Sequence, residues 1–345
     1  MQSLSPRRVA ILKIITDEHI VTALPVGSKA VSQSLRIKTS PATVRQEMAA
    51  LEEDGFITRP HLSAGGIPAD KGYRLYVEQL SEPVELSHWE QLAMRQRFHL
   101  VEQDVEAWTR LTALLLSEFV RNLAVVTFPR ANEPRIRRLE LIHLHELLVL
   151  FVLVFEESRV KKQLLSLREP MEPEELIQVA NKLNDQVAGL SQRELEKKQV
   201  QMTSLEEQVL ERTVDMMRKE EQAKNGDYQA EGLRHLLAQP EFVASPRARE
   251  LVEILEEGRL ADALRSGKPE RHEVRVTIGE ENQDGTLKPL SMVVAPYGIS
   301  GGIEGVVGIV GPTRMAYNRT MAGVRYLSTL MSERVEGIYG RPSQG

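Results

Sequence analysis

The chain has 345 residues, 41% of them hydrophobic, and a formal net charge of −5, so it is long enough for two or three ordinary globular domains, each with its own core. It contains no cysteine, which excludes disulfides, iron–sulfur clusters and thiolate zinc sites. There is no apolar leader at the N-terminus and no apolar run of 18 residues, so a cytoplasmic protein without a membrane partner is expected.

In chain order, the first strong signal is Gly27-Ser28, where Ser28 is placed to cap a short helix carrying Ala30, Val31 and Leu35. Ser40-Pro41 then opens a second helix, with serine at the N-cap and proline at the first helical position, where its missing N–H costs nothing. Val44, Met48 and Leu51 follow at spacings of four and three, one inward stripe, which turns Ala42, Gln46 and Ala49 outward with Thr43 and Arg45 on the flanks. Small residues and short polar donors at the start of a helix suit close approach to a major groove, where Gln and Arg reach base edges. Gly55 closes the helix. Phe56-Ile57 and Ile67-Pro68 then read as a hairpin with its tip at Ser63-Ala64-Gly65-Gly66, and Asp70 as the cap of a helix bearing Tyr73, Tyr76, Val77 and Leu80. The order of recognition helix and wing predicts a winged helix-turn-helix. Its expected DNA contacts are Ser28, Lys29, Ser40, Ala42, Thr43, Arg45, Gln46, Arg59, His61, Ser63, Gly65, Gly66 and Lys71. Charge adds little: residues 1 to 80 hold ten Lys+Arg against eight Asp+Glu, and the remainder 34 against 41.

Beyond Leu80, Pro83 to Ser87 reads as a hinge and two helices follow, about 88–100 and 106–120. Leu123–Phe128, Ile136–His143, Leu147–Phe155 and Val160–Leu165 are expected strands, the third a buried one. Pro173 opens a helix with an inward face of Leu176, Ile177, Ala180, Leu183 and Val187. A charged helical stretch from Ser191 to Ala223 ends at Asn225-Gly226-Asp227. Short helices at 231–238, 246–257 and 260–264 precede strands at 274–278, 290–295 and 305–310 and a last helix from about 318 to 338. Strands before and after a helical block predict an α+β domain whose sheet is interrupted by an inserted, mainly helical module.

Other motifs carry little chemistry. His143-Leu144-His145-Glu146 puts two imidazoles on one strand face without a third ligand, and reads as a turn between strands. The glycines at 298, 301 and 302 lack the spacing and lysine of a phosphate loop, and Gly311-Pro312-Thr313 reads as a helix opening. No nucleophile and base pair is legible, so neither an enzyme nor a cofactor is expected. In the charged helices, Leu195, Met202, Leu205, Val209 and Met216 form an irregular apolar stripe, either an intrachain face or a dimer seam.

Pro25-Val26-Gly27-Ser28, Ser40 to Arg45, Leu51 to Gly55 and Ser63 to Arg74 resemble the HrcA heat-inducible transcription repressors. Ile278 to Asn282 and Gly308 to Tyr317 resemble the same family, so the likeness runs from end to end; only about 170–265 contributes little to it. The resemblance implies a winged-helix head (1–82), a GAF-like domain (83–170 and 266–345, with linker helices) and an inserted dimerisation module (171–265). It also implies a homodimeric repressor of chaperone operons on an inverted-repeat operator, kept active by a chaperonin and released by heat. It tips the apolar stripe towards a dimer seam. One departure stands out: the family has Arg in a Ser-Ala-Gly-Arg-Ile-Pro run where this chain has Gly66, a residue expected at the wing tip and able, as Arg, to enter a minor groove. The alternative reading is a winged-helix regulator whose GAF-like domain senses a small ligand, which would need a pocket with convergent polar groups. A protein-binding scaffold with no affinity for duplex DNA is a third.

Overall fold

The protein is described from a computed structural model covering all residues except 1–3, 36–38, 62–63, 80–84, 102–103, 132, 157–158, 198–202, 223–227, 244, 271–272 and 340–345. The expected hinge at Pro83 and the Asn225-Gly226-Asp227 break therefore fall, wholly or in part, outside the described residues. Contacts divide the chain into two compact units, Met1–Phe128, Asp227–Tyr297 and Gly305–Glu333 in the first, and Pro129–Gly226, Gly298–Glu304 and Arg334–Gly345 in the second.

The first unit opens with α1 (Pro6–Thr22), a helix that starts on Ser5-Pro6 as α3 starts on Ser40-Pro41. Next come α2 (Ser28–Ser34), α3 (Pro41–Glu53), the short strands β1 (Ile57–Thr58) and β2 (Ile67–Pro68), and α4 (Asp70–Glu78). Ile11, Leu12 and Ile15 of α1, Val31 of α2, and Val44, Met48 and Leu51 of α3 close on Val26, Phe56 and Ile57 as one small core. The inward stripe of α3 is the one the spacing predicts. Two caps differ: Gly27, not Ser28, is the N-cap of α2, and Ala69 precedes α4, so Asp70 is its first residue. Tyr76 donates to Asp17 Oδ1 at 2.6 Å and ties α4 to α1; burial, then this bond, pushes the phenol pKa well up.

After α5 (His88–His99) and α6 (Val105–Val120) the chain enters the central sheet at β3 (Leu123–Thr127). The second unit follows: β4 (Arg130–Ala131), β5 (Ile136–His145), β6 (Leu148–Phe155), β7 (Val160–Ser166), α7 (Pro173–Val187), α8 (Gln192–Glu196) and α9 (Ser204–Gln222). Here the structure corrects the sequence reading. Among the described residues β5, β6 and β7 pair as strands only with one another, as a three-stranded antiparallel sheet, so the strands expected in the central sheet form a layer of their own under α7 and α9. Strand periodicity identifies strands but not their partners. Val149, Phe151, Leu153 and Phe155 point inward with Leu139, Leu141, Leu176, Leu183, Leu195, Val209 and Met216. The apolar stripe Leu195, Val209, Met216 is thus used inside the chain, with Leu205 packed against it; Met202 is outside the described residues.

The chain continues with β8 (Tyr228–Glu231), α10 (Leu233–Leu237), α11 (Arg247–Glu256), α12 (Arg259–Ser266), β9 (Arg275–Ile278), β10 (Leu290–Gly298), β11 (Ile303–Pro312) and α13 (Tyr317–Tyr339), all in the first unit except the 298–304 turn and the end of α13 from Arg334. The strands run in the order β8-β3-β11-β10-β9, and β4 pairs with the first residues of β11. β8 is a strand that the sequence pattern does not mark, sharing only Glu231 with the helix expected at 231–238, which is α10; Gly311-Pro312 end a strand instead of opening a helix. Leu123, Val125, Met292, Val294, Val306 and Val310 pack beneath Leu236, Phe242, Leu251, Ile254, Leu260 and Leu264. Gly308 lets α12 approach: a Cβ there would lie 2.7 Å from Leu264. Gly323 of α13 fits against Phe119 and Leu116 of α6, and Arg319 stacks 3.9 Å over the Phe119 ring. No helix of the described residues is long and apolar enough to cross a membrane.

Candidate nucleic-acid interface

Ser40 Oγ accepts from the Thr43 amide at 3.1 Å, and Thr43 Oγ1 lies 2.9 Å from Ser40 Oγ, so the start of α3 is fixed by its own residues. Ala42, Arg45, Gln46 and Ala49 are exposed along one side of the helix and Thr43 is half-buried. This is the surface the sequence pattern turns outward. Beside it, half-buried Glu47 is held by Arg8 Nε at 2.9 Å and Arg7 at 3.7 Å, while Glu53, in the last turn of α3, is exposed on the outward side. The bond to Glu47 raises the Arg8 pKa, and Arg8 also reaches Asp54 at 3.4 Å. The two arginines of α1 thereby offset the negative charge that Glu47 would otherwise bring to a phosphate backbone. Neither arginine belongs to the pattern that starts at Gly27-Ser28; the Ser-Pro cap at Ser5-Pro6 is the local signal for their helix.

The remaining expected contacts divide. Lys29 on α2 and Arg45 on α3 are exposed with no ion pair or hydrogen bond among the described residues, so both cations are available to a ligand. Ser28 is half-exposed at the start of α2 and makes no cap. Arg59 is engaged with Glu52 at 3.2 Å and is mostly covered. Lys71 donates to the Asp54 carbonyl at 2.8 Å, at the end of α3, and lies 4.3 Å above the Phe56 ring. Both thus engage residues of the head itself, and Lys71 remains exposed. His61 is exposed and Ser63 lies outside the described residues.

Gly66 is not at a solvent-facing tip. It is buried and exchanges both backbone hydrogen bonds with Val26, each 2.9 Å. A Cβ there would point at Ile57 Cδ1, 2.9 Å away, and Met48 Cε, 3.1 Å away. An arginine at this position starts towards the core, so the expected minor-groove role does not follow from its direction. Gly65 is a position of close approach, since a Cβ would fall 2.4 Å from the Val26 backbone. Elsewhere, His143 and His145 end β5 in solvent, and among the described residues no three His, Asp or Glu side chains converge to hold a metal.

The family model for the HrcA protein C terminal domain matches residues 106–321, more than half of the chain. A heat-inducible transcription repressor HrcA of Dehalococcoides mccartyi is 39% identical over 342 residues, 99% of both chains. The protein of the same name from Chloroflexus aggregans is 38% identical, with 99% of this chain and 96% of its own covered. Among solved structures, the crystal structure of a hypothetical protein at 2.2 Å resolution covers 97% of this chain and 99% of its own, with a TM-score of 0.65 at 23% identity. That last likeness is one of fold.

Proposed function

The chain belongs to the HrcA family of heat-inducible transcription repressors, and from that premise we propose that it binds an inverted-repeat operator of chaperone operons as a homodimer. In this reading α1 to α4 with the β1–β2 hairpin form a winged helix, and the sheet with α6 and α13 forms a GAF-like domain. α3 enters the major groove, with Gln46 and the small residues Ala42 and Ala49 at base edges and Arg45 at a flanking phosphate. The observation that carries the proposal is the outward face of α3: exposed Ala42, Arg45, Gln46 and Ala49 and a fixed N-terminus, with the neighbouring Glu47 held by Arg7 and Arg8. The chaperonin as the partner that keeps the repressor active follows from family membership alone. A ligand-sensing reading gains no support from the central sheet, whose face beneath α10 to α12 meets Leu, Ile and Phe side chains.

The dimer seam is better placed on the outer face of the β5-β6-β7 sheet than on the α9 stripe, which is already buried. Ile142, Leu150 and Leu164 sit in one row across the three strands. Ile142 is 47% and Leu164 57% exposed, an arrangement that monomers rarely leave uncovered. In the next row Glu140 and Lys162 flank Val152. A two-fold axis running along β6 between two such sheets sets Glu140 of each copy, which Arg138 holds at 2.5 Å within its own chain, over Lys162 of its partner, an isologous contact. The double variant Ile142→Glu, Leu164→Glu is expected to keep its circular dichroism and sediment as a monomer at micromolar concentration. Dimers that persist in that variant would move the seam elsewhere.

The proposal is tested by titrating the protein, at physiological salt, onto an inverted-repeat duplex from a chaperone promoter and onto a scrambled duplex, with and without chaperonin. Selective binding that chaperonin increases is the expected result. Equal binding to both duplexes would reject α3 as a reader of sequence.

A further inference from the structure

Two segments about 200 residues apart interlock within the first unit. On α4, Asp70 and Arg74 stand one helical turn apart and face the loop Gly279-Glu280-Glu281 that follows β9. Asp70 Oδ2 accepts from the Glu280 amide at 2.9 Å. Arg74 donates through Nε to Glu281 Oε1 at 2.6 Å and through Nη2 to Glu281 Oε2, and Nη2 also reaches the Val276 carbonyl at 2.7 Å. Between them Tyr73 packs on Tyr317, ring centroids 6.0 Å apart.

The receiving loop is built to hold this shape. Gly279 has φ +52°, and a Cβ on it would sit 1.9 Å from Asp70 Oδ2, so the position requires glycine. Glu281 is oriented by the Ile278 amide at 2.8 Å. Buried Asn282 reaches the carbonyls of Gly279, Leu287 and Leu290 from a single Nδ2, at 2.9–3.0 Å, and staples the loop to β10. A second point of attachment lies at the end of α1. Arg314 donates to the Ile20 carbonyl at 3.2 Å while Glu241 and Gln239 hold its other nitrogens, at 2.5 Å and 2.6 Å. An isolated, partly exposed ion pair contributes little. Here a two-toothed Arg–carboxylate pair is joined by two backbone hydrogen bonds and a second arginine at a helix C-terminus, which fixes direction as well as distance.

None of these side chains lies on the exposed face of α3. We propose that Asp70, Arg74, Glu281 and Arg314 are positioning residues for operator recognition: they hold the head in one orientation on the central sheet, and so remove a degree of freedom between the two α3 helices of a dimer. The latch leaves α3 uncovered, so it aids binding and does not block it. Its contribution appears only when both half-sites are read together, because a fixed head lowers the ordering cost of the second contact. This inference rests on the operator-binding reading above.

The test compares wild type with Glu281→Gln and Arg74→Gln on a full inverted repeat and on a single half-site. Full-site affinity is expected to fall roughly tenfold or more in both variants, with half-site affinity changed less than about twofold and the salt slope unchanged. Retained half-site binding shows that the head is folded. An arginine on a phosphate would instead weaken both duplexes and lower the slope by about one. The absence of cysteine allows a second readout without DNA: spin labels on Gln33→Cys of α2 and Thr329→Cys of α13, both exposed positions. The distance distribution is expected to be narrow in the wild-type background and broad with Glu281→Gln. An unchanged ratio of full-site to half-site affinity, or an unchanged distribution, overturns the latch. If wild type reads neither duplex, the operator reading fails while the label distances still decide whether the joint exists.

Discussion

Gln46→Ala will lower operator affinity by about 1–3 kcal/mol, roughly 5- to 150-fold, and leave binding to a scrambled duplex nearly unchanged. Gln46 is exposed in the middle of the outward face of α3, with Ala42 and Ala49 on either side, small enough to let the helix axis come close to the bases. A glutamine amide can make two hydrogen bonds to adenine, and truncation removes both. Arg45→Ala is expected to behave differently. It lies on the flank and has no protein partner among the described residues, so its loss weakens operator and scrambled duplex alike and reduces the salt slope by about one. Fluorescence anisotropy at three salt concentrations separates the two. Loss of affinity in Gln46→Ala that is equal on both duplexes would remove it from base recognition.

Gly72→Ala carries the largest expected cost in stability. Gly72 is buried on α4, and a Cβ there would lie 2.1 Å from the Phe56 carbonyl oxygen, with Leu12 Cδ1 at 3.4 Å. The obstacle is backbone at the junction of α3 and β1, so it cannot swing away as a side chain would. Either α4 moves out or the hairpin shifts, and with it the core of Ile11, Leu12, Leu51 and Phe56. A cost of about 3 kcal/mol is expected, the upper part of the range for overpacking. The head transition in a thermal melt moves down, and half-site binding falls together with full-site binding. That pattern differs from the latch variants, which keep the half-site. A melt within a degree of wild type would show that α4 is not held against the hairpin as described.

The head was legible in the sequence because its signals are local. Ser40-Pro41 and the stripe Val44, Met48, Leu51 fix one helix end and one inward face without reference to the rest of the chain, and the structure has both. The same Ser-Pro signature marks α1 at Ser5-Pro6, but its apolar residues spread around the helix and its role is visible only once Arg7 and Arg8 are seen against Glu47. Which cations remain available was not legible. Arg59, Lys71 and Arg45 look alike in sequence; two are engaged by Glu52 and by the Asp54 carbonyl, partners set by tertiary packing.

Strand partnership was lost for a similar reason. The unbroken apolar run of β6 predicts a buried strand but not which face is covered; in the structure Val149, Phe151, Leu153 and Phe155 are the buried set, and an antiparallel partner can come from any strand with matching faces. β5 and β7, adjacent in sequence, take both edges of β6, and the central sheet is completed by β8 to β11 from the far side of the insertion. Gly279 shows the limit from the other direction. Nothing local marks it as more than a turn, and its requirement comes from a carboxylate about 200 residues earlier.

The most direct test of the account is a hydroxyl-radical footprint of the protein on an inverted-repeat operator. Two protected patches related by two-fold symmetry, one or two helical turns apart at roughly 34 Å per turn, both weakened by Gln46→Ala, are the predicted result. Protection that is absent, continuous along the duplex, or unaltered by Gln46→Ala would contradict a dimer that reads each half-site through α3.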